Sequence, residues 1–195
     1  MLRFISLFFA AALMASCAPS TPSEEPPLEG ARIGTPFTLT SGDGSKVSWS
    51  DFEGQYRMVY FGYTSCPDIC PFDVQRMAKA HDEFLAARPE MDGKLAEIFI
   101  TVDPARDTPE AIAQFTRAFS PDLVGLTGSE EEIAKVTQDF AAYRALEEPD
   151  EYGFYLVQHG PPGAYLFGPE GEPIALLPVD ESVEQTVAEL QRWIR

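Results

Sequence analysis

Arg57-Met58-Val59-Tyr60-Phe61-Gly62-Tyr63-Thr64-Ser65-Cys66-Pro67-Asp68-Ile69-Cys70-Pro71 carries the information that decides the fold. Residues 57–63 form a nearly continuous apolar run of strand length, the pattern of a parallel strand buried on both faces. Two cysteines separated by three residues follow directly. After them Val74, Met77, Ala78, His81 and Leu85 recur at helical spacing. Pro71 suits a first helical position, which predicts that Cys70 sits at or beside the N-cap, where the helix dipole lowers a thiol pKa. Cys66 lies in the loop and can fold over to meet it. Oxidised, such a pair is a small-ring disulfide; reduced, it offers two soft sulfur ligands.

The flanking sequence alternates strands and helices. Residues 35–39 and 46–49 enclose Ser41-Gly42-Asp43-Gly44 and read as an N-terminal hairpin. Residues 96–102 form a second buried strand. Thr108-Pro109-Glu110 opens a helix, with Thr108 as N-cap and Pro109 in the first turn. A brief strand at 123–126 precedes Ser129-Glu130-Glu131-Glu132, a capping box, with Ile133, Val136 and Phe140 on one face behind it. Residues 164–167 and 173–177 form a second hairpin. A last helix starts near Ser182, with Val183, Val187, Leu190 and Ile194 as its apolar stripe. The pattern is α/β: one central mixed sheet flanked by helices, in a single domain over 31–195.

Composition bounds the function. The 195 residues carry 14 Lys and Arg against 31 Asp and Glu, a net charge of −17. That balance argues against nucleic acid as a partner. Residues 1–16 read as an export signal: Arg3, then a short apolar run, then Leu13-Met14-Ala15-Ser16 before Cys17. Small residues before Cys17 resemble a bacterial lipobox, with Cys17 the lipidation site; an ordinary cleaved signal and an uncleaved anchor are the alternatives. Residues 17–30, rich in Pro, Ser, Thr and Glu, form a flexible tether. Every version exports the domain to the cell envelope, on the periplasmic side. With Cys17 set aside, Cys66 and Cys70 are the only thiols. A bridge across so short a loop constrains little of the unfolded chain, so a redox pair or a metal site explains the spacing better than a structural staple.

At this point a family resemblance enters. Tyr60 to Pro71 looks like the signature of the Sco/SenC proteins, and Thr101-Val102-Asp103-Pro104-Ala105-Arg106-Asp107-Thr108-Pro109-Glu110 resembles their second motif. Gly125-Leu126-Thr127-Gly128 and Tyr155-Leu156-Val157-Gln158-His159 follow in the family's order. The resemblance covers residues 31–195. It implies a thioredoxin-like fold that binds one copper ion, as Cu(I) or Cu(II), through Cys66, Cys70 and His159. It also implies a role in building the CuA centre of cytochrome c oxidase subunit II, as copper donor, thiol reductant or both. An upstream copper donor or reductant completes the set of partners, with the membrane reached through the N-terminal anchor.

Two thiolates and an imidazole form a soft, low-coordinate set suited to Cu(I). His81 lies eleven residues along the helix from Cys70, about 16 Å away, and reads as a packed histidine. Gln158 and Gly160 stand where the family has Asp and Ser or Thr, which removes a carboxylate that could orient His159. Asp103 and Asp107 resemble an acid/base pair, but a strand end and a helix turn account for them. The resemblance places Asp103 beside the copper site. Asp68 reads as a solvated loop residue, while Met58 and Met77 read as core fillers. Three functions compete: a copper metallochaperone, a thiol–disulfide oxidoreductase that needs both cysteines but not His159, and a copper- or redox-sensing protein.

Overall fold

The computed structural model describes residues 24–195. The export signal and Cys17 lie outside the described residues, as does the tether as far as residue 23. The strands are β1 (Thr38–Ser41), β2 (Lys46–Ser48), β3 (Tyr56–Gly62), β4 (Leu95–Thr101), β5 (Val124–Thr127), β6 (Arg144–Leu146), β7 (Val157–His159), β8 (Ala164–Phe167) and β9 (Pro173–Leu177). The helices are α1 (Ile69–Ala87), α2 (Pro109–Arg117), α3 (Glu130–Asp139) and α4 (Val183–Trp193). Seven strands form one mixed sheet in the order β2-β1-β5-β4-β3-β8-β9, and β6 and β7 form a separate two-stranded ribbon.

β3, β4 and β5 are parallel neighbours. Their crossovers step the same way across the sheet, and right-handed connections then place α1 and α2 on the same face. The contacts agree. Tyr60 of β3 bonds to Asp73 of α1. Gly125 of β5 faces Ile112 and Thr116 of α2 so closely that a Cβ would stand 2.3 Å from Ile112. α4 packs beside α1. The opposite face is aromatic: Phe61, Trp49 and Phe167 all meet Phe140 at centroid distances of 5.4–5.5 Å. This is a thioredoxin-like α/β fold, with the hairpin β1–β2 added at one edge. No helix among the described residues is long and apolar enough to cross a membrane.

Both capping expectations hold. Thr108 accepts from Ala111 N, and Ser129 forms a reciprocal box with Glu132. Other details are corrected. The first strand runs three residues later than expected. The buried face of α4 is Thr186, Leu190 and Trp193, with Val183 and Val187 only half-buried. Thr186 can occupy that face because its hydroxyl bonds back to Ser182 O at 2.8 Å, so no polar group is stranded. α1 starts at Ile69 with Asp68 as N-cap, which puts Cys70 at the second helical position and Pro71 at the third. Proline fits there because the first-turn N–H groups have no intrahelical acceptor.

His81 is buried, as expected. Its Nε2 donates to Leu95 O at 3.1 Å, and its Nδ1 faces Glu97 Oε2 at 3.5 Å. Burial raises the Glu97 carboxyl above its ordinary 4.5, against the pull of His81 and with Asp82 and Asp122 adding to the rise. The folded state therefore holds the Glu97 proton more tightly than the unfolded state does. The resulting stability is complete below the unfolded pKa and is lost as pH rises through the folded value. Urea midpoints should fall as pH rises above the ordinary carboxyl value of 4.5 in the wild type and fall less in Glu97→Gln. Parallel profiles would contradict this.

Candidate metal centre

The end of β3 and the start of α1 hold the two sulfurs. Asp107, fully buried beyond β4, accepts from Thr64 N at 3.1 Å and from Thr64 Oγ1 at 2.6 Å, fixing the chain just before Cys66. Sequence reading placed Asp107 only in the turn into α2. Its grip on the cysteine loop spans 43 residues and has no local signal. Gly62 gives Cys70 its space: a Cβ there would lie 3.3 Å from Cys70 Sγ and 2.7 Å from Tyr60. Both cysteines are free thiols.

The order of acidity is the reverse of the expectation for Cys70. Because α1 begins before Cys70, the amide of Cys70 points at the other sulfur and donates to Cys66 Sγ at 3.4 Å. The positive helix end therefore acts on Cys66. The Cys66 thiol is held well below its ordinary pKa, chiefly by the hydrogen bond from Cys70 and also by His159 and the backbone amides, against the opposing effect of burial. Cys70 is driven up by that same bond to Cys66 and by burial. Cys66 is 8% exposed and Cys70 0%. The less buried sulfur is thus also the more acidic one.

The third donor arrives from the ribbon. His159 ends β7 and pairs across the ladder with Arg144, while Gly160 N donates to Tyr143 O at 3.1 Å. A cis Gly160–Pro161 bond follows. His159 Nε2 stands 3.3 Å from Cys70 Sγ, and its ring sits against the edges of Tyr60 and Tyr63. Tyr63 is pushed up to about 12 by burial. Shallow depressions of about 410 and 330 Å³ flank His159, the second also bordered by Cys66.

The donors touch as hydrogen-bond partners, and among the described residues no three His, Cys, Asp or Glu side chains are already spread around a central point. With sulfur about 2.3 Å and nitrogen about 2.0 Å from a metal, a ligand angle near 120° separates them by about 3.7 Å. For the one pair Cys70 Sγ and His159 Nε2, the observed 3.3 Å is about 0.4 Å short of that separation.

His159 Nδ1 is buried without a hydrogen-bond partner among the described residues. Gln158, its neighbour in the chain, turns outward and donates to Glu147 at 2.9 Å. Asp103 is fully buried, bound by Arg106 and by Tyr155 Oη at 2.9 Å, so its bonds go to neither sulfur nor imidazole. Asp68 is exposed at the N-cap. Met58 and Met77 are core residues, as is Met91.

A thioredoxin-like domain with two free thiols at the start of a helix, and an imidazole in contact with one of them, belongs among the thiol- and metal-handling members of that fold. The SCO1/SenC family model matches residues 25–195, and the chain belongs to that family. It is 41% identical over 140 residues to the human mitochondrial SCO1 homolog, covering 72% of this chain and 46% of the relative. The chain thus spans about half the length of that curated relative. The copper-bound structure of Bradyrhizobium japonicum ScoI superposes with a TM-score of 0.72 at 33% identity, covering 83% of this chain and 99% of ScoI. A Bacillus anthracis SCO1/SenC family lipoprotein superposes with a TM-score of 0.69 at 25% identity, covering 86% and 98%.

Proposed function

We propose that the protein is a copper metallochaperone. Cys66, Cys70 and His159 hold one copper ion for delivery to the CuA centre of cytochrome c oxidase subunit II. The observation that carries this reading is the 3.3 Å approach of His159 Nε2 to Cys70 Sγ, made across 89 residues of sequence and beside the accessible Cys66. A thiol exchanger has no need of that imidazole. The donor set fits the softness of Cu(I), and the copper-bound ScoI neighbour supports the choice of metal. Exposed Ile69 and Phe72, on the first turns of α1, give a recipient an apolar surface beside the sulfurs. The domain is anchored to the bacterial envelope through residues 17–30, by a Cys17 lipid or an uncleaved N-terminal segment, a placement that the lipoprotein neighbour supports.

One observation favours a second activity of the same thiols. The more acidic sulfur is the more accessible one, with a resolving thiol beside it, as thiol–disulfide exchange requires. X-ray absorption of the Cu(I)-loaded protein tests the ligand set. The expected shell has two sulfurs at about 2.3 Å and one nitrogen at about 2.0 Å. A shell of sulfur alone would overturn the chaperone reading.

A further inference from the structure

We propose that Arg106, braced by Asp103, is a positioning residue that sets His159 against the two sulfurs; this rests on the ligand assignment above. The ribbon β6–β7 lies outside the main sheet. Besides its short chain connections to α3 and β8, contacts through side chains hold it to the body and so help set the height of His159 over Cys70. Arg106 reaches across the gap with its Nε on Asp103 and its Nη1 on Tyr155 O at 2.9 Å. Its guanidinium stacks on the Tyr155 ring, 3.8 Å from the centroid. Tyr155 Oη returns a bond to Asp103 at 2.9 Å, closing a loop of three residues. The ribbon answers from its own side, where Arg144, the ladder partner of His159, donates to Val102 O and grips Glu130.

A contiguous route leads from this clasp to the imidazole. The Arg106 guanidinium lies 5.5 Å from the Tyr63 centroid. Tyr63 Oη accepts from Val157 N at 3.4 Å, and the Tyr63 ring meets the His159 ring edge-on at 5.9 Å. Arg106 therefore bears on the His159 strand twice, through the main chain at Tyr155 and through the Tyr63 ring. Because His159 Nδ1 has no hydrogen-bond partner among the described residues, its placement falls to this scaffold. A planar fork that pairs, donates and stacks at once is a task that lysine does not reproduce. Asp103 thus acts on the metal centre through Arg106 and Tyr155.

The test is a double-mutant cycle read by anaerobic Cu(I) competition, with circular dichroism to confirm folding. Arg106→Met should weaken Cu(I) binding roughly 10–100-fold, the usual loss for an outer partner of a ligand. Arg106→Lys should fold as the wild type does and recover little of that affinity. In a His159→Ala background, Arg106→Met should change affinity by less than about threefold, because the residue it positions is gone. A similar loss in both backgrounds, or wild-type affinity in Arg106→Met, would overturn the proposal. If Arg106→Met fails to fold, Tyr155→Phe, which removes only the hydroxyl bonded to Asp103, enters the same cycle under the same criteria. Should His159→Ala alone leave affinity unchanged, the ligand assignment itself fails and the clasp with it; an inert Arg106 beside an effective His159→Ala defeats the clasp alone.

Discussion

Replacing both Cys66 and Cys70 with alanine should abolish specific Cu(I) binding, with a loss of about ten-thousandfold or more. Four-ligand structural zinc sites bind with about 10–16 kcal/mol in total, or about 3 kcal/mol per ligand and roughly a hundredfold each. Two lost ligands then account for about 10⁴, and the greater affinity of Cu(I) for thiolate pushes the figure higher. The fold should survive the change. The change removes the bond from Cys70 N to Cys66 Sγ in the first turn of α1, but Asp107 still holds the loop through Thr64 and the helix runs on to Ala87. Copper titration with a circular dichroism control separates ligand loss from unfolding. A double variant that still bound one equivalent tightly would place the metal elsewhere.

Replacing His159 with alanine should divide the two activities of the site. Cu(I) affinity should fall about a hundredfold, the share of one ligand. Disulfide exchange should change by no more than a few fold. His159 contributes to holding the Cys66 thiol down, but the hydrogen bond from Cys70 contributes more, and the backbone amides at Asp68 and Cys70 also remain. A slightly raised Cys66 thiol stays ionised at neutral pH and gains a little nucleophilicity, so exchange changes little. Equal loss of both activities in a folded His159→Ala protein would show that the imidazole serves the thiols rather than a metal.

What could be foreseen in the sequence divides along physical lines. The run into Cys66, the Thr108 and Ser129 caps and the hairpin β8–β9 were legible because each depends on residues close in the chain. The first strand of the ribbon was not legible. Arg144-Ala145-Leu146 has no alternation to mark β6, and its pairing with β7 closes a loop across residues 147–156. The acidity of the two sulfurs was misjudged for one reason: Pro71 is tolerated at the third helical position as well as the first, and that shift of two residues turns the helix amides from Cys70 toward Cys66. The scaffold of His159 could not be read at all. Arg106 meets Tyr155 across 49 residues, and Asp107 meets Thr64 across 43. His159 itself emerged only through resemblance to a family.

The measurement that tests the central claim most directly is an anaerobic Cu(I) competition titration of the reduced protein, run beside the His159→Ala and Cys66→Ala/Cys70→Ala variants. The expected pattern is one equivalent bound tightly by the wild type, binding about a hundredfold weaker without the imidazole, and no specific binding without the thiols. A His159→Ala protein that binds as tightly as the wild type, or a wild type that binds weakly and without a defined stoichiometry, would contradict it and leave thiol–disulfide exchange as the function of the site.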